Sequence, residues 1–331
     1  MRVLVTGANG FLGRHLVERL LAAGHPVRAL VRPSACLDGL SWERRVEVHR
    51  GDLVDDPKLA KAFDGIDAVV HLAASMRGSE RARYEEIVLS TERLFEAMSG
   101  SGARRLLLCS SFSVYDWLSA QGEVDEGLPL RELPAEGAEG YGPAKRMQEH
   151  MARERSDDDA FELTVLRPGF VWGPENPCPA GSLGRNLGPL RLVFSPTRRL
   201  PFTHVDNCAA CLCAALESEA AVGRSFNLVD GFELNAWQYA GEVLRRRGGG
   251  VRVPVPYWLL RGFASLLRAI ARPLLGSGAR LPSLIRPEEI AQLYRPLGYS
   301  TRALSETLGW SPPLGLEECL QRTFDPDRES R

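Results

Sequence analysis

Tyr141 and Lys145 are the residues whose types and spacing point most directly to chemistry. In the run Tyr141-Gly142-Pro143-Ala144-Lys145 they stand four positions apart, so on a helix both side chains reach into one cleft. A free phenol titrates at about 10 and is a poor acid or base at neutral pH. A nearby ammonium, together with the positive charge of an oxidised nicotinamide, would stabilise the phenolate and lower that value. Lysine is scarce here: Lys58, Lys61 and Lys145 are the only three among 41 basic residues, which singles out the one at this position. Upstream, Ser110-Ser111-Phe112-Ser113-Val114-Tyr115 closes an apolar run. A hydroxyl at such a strand end can hydrogen-bond a carbonyl oxygen as it becomes an alkoxide.

A second constellation could hold the redox partner of that pair. Thr6-Gly7-Ala8-Asn9-Gly10-Phe11-Leu12-Gly13 lies between an apolar strand, Arg2–Thr6, and a helix patterned by Leu12, Leu16, Val17, Leu20 and Leu21. Glycines let the backbone turn tightly and approach phosphates, and the helix start offers free N–H groups and a positive dipole end. About twenty residues on, an NAD site would place a carboxylate for the ribose diol. Val31-Arg32-Pro33-Ser34 stands there instead, and a guanidinium can bind a 2′-phosphate bidentately. Arg32 therefore points to NADP(H), with NAD as the alternative.

The elements that must position these residues alternate strand and helix. Strands are expected at Val27–Val31, Val46–His49, Asp67–Leu72, Arg105–Ser110 and Phe161–Arg167, with helices over Glu80–Met98 and Tyr141–Arg155. Such βα units wind into a doubly wound parallel sheet, a Rossmann-type α/β fold. Residues 1–167 would form this dinucleotide-binding unit, and 168–331 mainly a smaller, interleaved substrate lobe. The segment 200–232, with a strand at Ser225–Val229, would return to the first unit. Pro174–Gly188 reads as irregular structure near a ligand cleft, and Asp157–Asp159 as a solvated turn.

The glycine spacing Gly-x-x-Gly-x-x-Gly resembles the extended short-chain dehydrogenase/reductase family, the epimerase/dehydratase type, and the resemblance runs through nearly the whole chain. It implies that Asp52-Leu53 contacts adenine and that His71-Leu72-Ala73-Ala74 passes the cofactor ribose and pyrophosphate. Arg167-Pro168-Gly169, followed by Trp172-Gly173-Pro174, resembles the segment beside the nicotinamide. His204-Val205-Asp206 and Leu308-Gly309-Trp310-Ser311-Pro312 are also similar to family segments. The resemblance makes Ser111 the catalytic hydroxyl beside Tyr141 and Lys145, and turns Ser113 toward the substrate. Dehydratases of the family carry an Asp-Glu pair where this chain has Phe112 and Ser113, so dehydration is not expected. Ile87 stands where the family usually has an asparagine that supports a proton relay behind the lysine.

The implied activity is hydride transfer between NADP(H) and a secondary alcohol or ketone of a small molecule, similar to the dihydroflavonol reductase and 3β-hydroxysteroid dehydrogenase branch. A nucleotide-sugar 4-epimerase or sugar reductase uses the same three residues, and a non-catalytic dinucleotide-sensing regulator is the remaining alternative. The helices Glu80–Met98 and Tyr141–Arg155 would build a two-fold dimer surface.

Bulk properties narrow the partners. A formal net charge of −1 gives no footprint for nucleic acid. Seven scattered cysteines indicate a reducing compartment, and with a first strand starting at Arg2 the expectation is a cytoplasmic protein. Cys208, Cys211 and Cys213 lack a second ligand pair at metal spacing and are expected to pack in a core, so no metal site is assigned. Tyr257–Leu275 is apolar but carries Arg261, Arg268 and Arg272 on one narrow face. It reads as a lobe helix covering an apolar pocket or dimer surface, a membrane-surface helix being the alternative.

Overall fold

In the computed structural model the described residues are 1–74, 78–135, 137–159, 161–179, 181–247, 249–275 and 285–325, the side chains of 159 and 272–275 excepted. Short apolar runs bounded by glycine and turn residues become strands. The first are β1 (Val3–Thr6), β2 (Val27–Val31), β3 (Glu47–Arg50), β4 (Ala68–His71) and β5 (Arg105–Cys109). The two-residue β6 (Glu123–Val124) precedes β7 (Glu162–Pro168) and β8 (Phe170–Trp172). They are followed by β9 (Gly184–Leu187), β10 (Leu190–Phe194), β11 (Phe202–His204) and β12 (Ser225–Leu228). Among the described residues, seven of these form one all-parallel sheet in the order β12-β7-β5-β4-β1-β2-β3. This is the doubly wound sheet expected from the alternation of elements, and β12 enters it beside β7 after the chain has left and returned.

Both faces of the sheet are covered, as burial of parallel strands requires. Helices α1 (Phe11–Ala22), α2 (Glu80–Ser99), α3 (Tyr141–Asp159) and α4 (Val205–Glu217) do this. Val3 and Val5 of β1 point into one apolar layer with Leu16, Leu20, Cys208, Cys211 and Leu212. Leu4 points into the other, with Leu94, Phe95, Leu106, Leu108 and Ala152. The alternation follows from the two-residue period of a strand. The α4 cysteines are buried in the first layer and burial raises all three thiols, Cys213 to about 11, which favours the neutral, apolar form.

Two expectations are corrected. Pro174–Gly188 is not irregular throughout: Gly184–Leu187 pairs antiparallel with Leu190–Phe194 around Gly188-Pro189. That strand is largely exposed and polar, so it carries no apolar alternation to read. Asp157–Asp159 is the last turn of α3 and not a loop. Beyond helix α5 (Ala236–Arg247) and strand β13 (Val251–Val255), helix α6 (Tyr257–Leu275) buries Leu260 and Ala264. Tyr257, Arg261, Ser265 and Arg268 line a cavity of about 240 Å³, whereas Trp258 (72% exposed), Phe263 (58%), Leu266 (58%) and Ile270 (52%) face outward. The Arg272 side chain lies outside the described residues. Among the described residues, no helix is long and apolar enough to cross a membrane.

Candidate active site

The carboxyl ends of β1, β2 and β4 open a cleft of about 460 Å³, lined by Thr6, Gly7, Asn9, Gly10, Arg32 and Asp52, among others. Leu53, Ala73 and Ala74 complete its expected lining. A switch point at strand ends is where open α/β sheets bind ligands. Gly7 adopts φ +69, and a Cβ added to Gly13 would stand 2.1 Å from the Gly7 carbonyl oxygen, so neither position accepts a larger residue. Helix α1 starts at Gly10 with no side chain capping its first turn. The free N–H groups there suit a dinucleotide pyrophosphate. Phe11, Leu12 and Gly13 form that first turn and are not among the lining residues of the cleft. Neither are Pro168 and Gly169. Gly169 is required by packing, since a Cβ there would meet the Pro201 carbonyl at 2.1 Å.

Arg32 is half-exposed at the cleft rim and already engaged. Its guanidinium hydrogen-bonds the Glu86 carboxylate of α2, and its Nε stands 3.6 Å from Asp52 Oδ2. The turn that follows is held by Arg50, whose Nη1 donates to the carbonyls of Pro33 (3.2 Å) and Ala35 (2.8 Å).

At the end of β5 the structure brings Ser111, Tyr141 and Lys145 together. Ser111 caps a one-turn 3-10 helix, its hydroxyl accepting from the Ser113 N–H at 3.2 Å, and it also hydrogen-bonds the Tyr141 phenol. Lys145 is buried one helical turn along α3, its Nζ 5.9 Å from the centre of the Tyr141 ring. Burial pushes the Lys145 ammonium down to about 8, against the pull of Cys109 and Glu149. Tyr141 departs from expectation. Desolvation and Cys109 push its phenol well above the ordinary value, and only the Ser111 hydrogen bond acts the other way. The phenol carries its proton at neutral pH, as a free tyrosine does, and the upward shift makes it a weaker acid than a free tyrosine. Ser113 is buried, and its hydroxyl finds no partner among the described residues.

A model of the NAD dependent epimerase/dehydratase family matches residues 3–228. The chain belongs to that family. It is an enzyme of the extended short-chain dehydrogenase/reductase type. Among its relatives is the 2-alkyl-3-oxoalkanoate reductase of Stenotrophomonas maltophilia, 29% identical over 97% of this chain and 98% of the relative. Another is a 3 beta-hydroxysteroid dehydrogenase/Delta 5-->4-isomerase of Mycobacterium tuberculosis, 28% identical over 96% and 89%. UDP-glucuronic acid 4-epimerase from Bacillus cereus, solved in complex with NAD, shares the fold with a TM-score of 0.71. It is 22% identical, and the match covers 99% of each chain.

Two networks in this family member have no counterpart in the sequence reading. The first runs behind Lys145. Its Nζ donates to Cys109 O (2.9 Å) and Gln148 Oε1 (2.7 Å), and Gln148 Nε2 donates to Thr91 Oγ1 (2.7 Å). The Thr91 hydroxyl donates to the backbone oxygen of Ile87 at 2.7 Å. Thr6 Oγ1 accepts from the N–H groups of Leu72 and Ala73, so its proton goes to His71 Nδ1 at 2.7 Å. Burial, then the Lys145 charge, pushes His71 down to about 3, and its remaining N–H faces Thr91 at 3.4 Å. Where the family pattern has an asparagine, the Ile87 carbonyl thus ends a closed hydrogen-bond chain that orients the lysine. The second network is a bidentate pair: Arg167 Nε and Nη2 meet Glu149 Oε1 (2.9 Å) and Oε2 (2.8 Å). Arg167 Nη1 donates to the Tyr115 oxygen at 2.9 Å, and Ser110 donates to Glu149. Gln148 and Glu149 follow Lys145 by three and four positions, a helical spacing that was the available signal for both.

Proposed function

We propose that this enzyme transfers hydride between NADP(H) and a secondary alcohol or ketone of a small molecule. The observation that carries the reading is the meeting of Ser111, Tyr141 and Lys145 at the β5 end. When bound, the nicotinamide supplies or accepts the hydride. In the reductive direction Ser111 holds the substrate oxygen and Tyr141 gives it a proton as it becomes an alkoxide. Lys145, oriented through Gln148 and Cys109, binds the nicotinamide ribose and stabilises the phenolate left behind. Full-length relatives named as a reductase and a hydroxysteroid dehydrogenase support this class of chemistry. In this reading residues 1–167, with 200–232, hold the dinucleotide, and the rest of 168–331 shapes the substrate side, with Ser113 facing it.

Preference for NADP(H) rests on Arg32. A partly exposed phosphate–guanidinium contact contributes on the order of 1.5–3 kcal/mol, or roughly ten- to a hundredfold in affinity. Arg32→Asp is expected to remove that preference and leave NAD(H) binding unchanged or improved, as read by fluorescence titration of both nucleotides. Glu86→Gln should strengthen NADP(H) binding by freeing the guanidinium. Equal affinity of the wild type for the two nucleotides would sink the assignment. One observation favours the epimerase reading with NAD: Glu86 and Asp52 already neutralise Arg32 and set carboxylates at the cleft.

We also propose a homodimer built on α2 and α3, two helices that pack side by side on one face of the sheet. Light scattering at micromolar concentration should return twice the chain mass, and a monomer would count against it.

A further inference from the structure

Among the described residues the Arg131 side chain has no partner, and it lies beside the candidate active site. The segment carrying it is fixed to the serine turn by backbone bonds, Arg131 N to Val114 O at 2.9 Å and Asp116 N to Pro129 O at 2.8 Å. Its guanidinium lies over Gly142, the residue after Tyr141: a Cβ added to Gly142 would stand 3.0 Å from Arg131 Nη1 and 3.0 Å from the Ser113 carbonyl oxygen. Among the described residues, the guanidinium makes no hydrogen bond or ion pair. Its Nε is buried and unpaired, as is the hydroxyl of Ser113, which is only 5% exposed. Burial lowers the pKa of Arg131, and the acids that act on it, Glu289, Glu288 and Asp116, do so without contact.

A buried guanidinium Nε and a buried hydroxyl with no partner are each unfavourable, and buried polar groups are almost always satisfied. Here the guanidinium and the Ser113 backbone meet at Gly142, one residue from the phenol that would protonate the substrate. An arginine fork suits a carboxylate or phosphate bidentately, and a serine hydroxyl can donate a third bond to the same group.

We infer that Arg131 and Ser113 form a receptor for an oxyanion on the substrate, so that the ketone or alcohol handled by Tyr141 belongs to an acidic small molecule. The inference deepens the oxidoreductase reading and rests on it. Nothing in it depends on which dinucleotide is bound.

The test measures binding of 3-hydroxyoctanoate and of methyl 3-hydroxyoctanoate to the NADP⁺-loaded protein by calorimetry, with oxidation followed at the nicotinamide absorbance. The wild type should bind the acid at least tenfold more tightly than the ester. Arg131→Met should abolish that preference while leaving ester and cofactor affinity unchanged, which also shows that the variant folds. Arg131→Lys should retain part of it, because a point charge replaces the fork. Tyr141→Phe should keep the binding preference and lose oxidation. Inorganic phosphate that displaces the acid at lower concentration than the acid itself binds would identify the oxyanion as a phosphate. If the wild type shows no preference for the acid, or binds neither compound, the inference is overturned; so it is if Arg131→Met keeps the preference. An Arg131-dependent preference with no oxidation would instead leave the anion site standing and remove the oxidoreductase reading.

Discussion

Tyr141→Phe is expected to lower kcat by about 10²–10⁴-fold, the range for removing an acid–base group, and to leave dinucleotide affinity nearly unchanged. The phenol oxygen is the only atom removed. The ring stays over the start of α3, and the cleft contacts of Gly7, Gly10, Arg32 and Asp52 lie on other elements. Ser111 loses one hydrogen bond but keeps the Ser113 N–H. Lys145 keeps both of its acceptors, Cys109 O and Gln148 Oε1. The loss should therefore fall on the chemical step and not on KM. Turnover of a true substrate at the wild-type rate would remove Tyr141 from the mechanism.

Glu149→Ala is expected to reduce stability by about 3–5 kcal/mol, as found when one member of a buried ion pair is deleted. The Glu149 side chain is 0% exposed and that of Arg167 is 3% exposed, so the guanidinium would be left buried with no carboxylate in contact among the described residues, Glu126 acting on it only from a distance. Its bond to the Tyr115 oxygen does not replace a carboxylate, because the phenol is held neutral by burial. Removing both charges, Glu149→Leu with Arg167→Met, should cost much less than the sum of the single changes, since two apolar side chains can fill the same space. Urea unfolding at constant m-value measures the wild type, Glu149→Ala, the double variant and its two single changes. A single-variant loss below about 1 kcal/mol would mean that water reaches the pair and solvates it.

The parts of this molecule that were legible in the sequence are those set by local rules. The turn Thr6–Gly13 announces itself because only glycine tolerates φ +69 at Gly7 and the close approach at Gly13. Strands β1, β2, β4 and β5 of the central sheet are buried on both faces and appear as mostly apolar runs, whereas the edge strand β3 is polar and partly exposed. The hairpin Gly184–Phe194 was hidden because its first strand is polar and exposed. Tyr141 and Lys145 were found by spacing, but the direction of the phenol shift was not: charge can be counted along a chain, whereas desolvation depends on what the fold packs around the ring. Gln148, Glu86 and Arg131 were missed for a related reason. Gln148 reaches Thr91 across 57 positions and Glu86 reaches Arg32 across 54, while Arg131 is placed by a backbone bond to Val114 across 17, and none of these pairings is marked by a short pattern.

Transfer of label from the cofactor tests the oxidoreductase reading most directly. The protein would be incubated with NADPH carrying deuterium at C4, on one face or the other, and with 3-oxooctanoate or its methyl ester. Deuterium should appear at the new carbinol carbon for one face of the nicotinamide, in an amount equal to the NADP⁺ formed. Inversion of a nucleotide sugar at one carbon, with no net oxidation of the nucleotide, would contradict the account and establish the epimerase reading in its place.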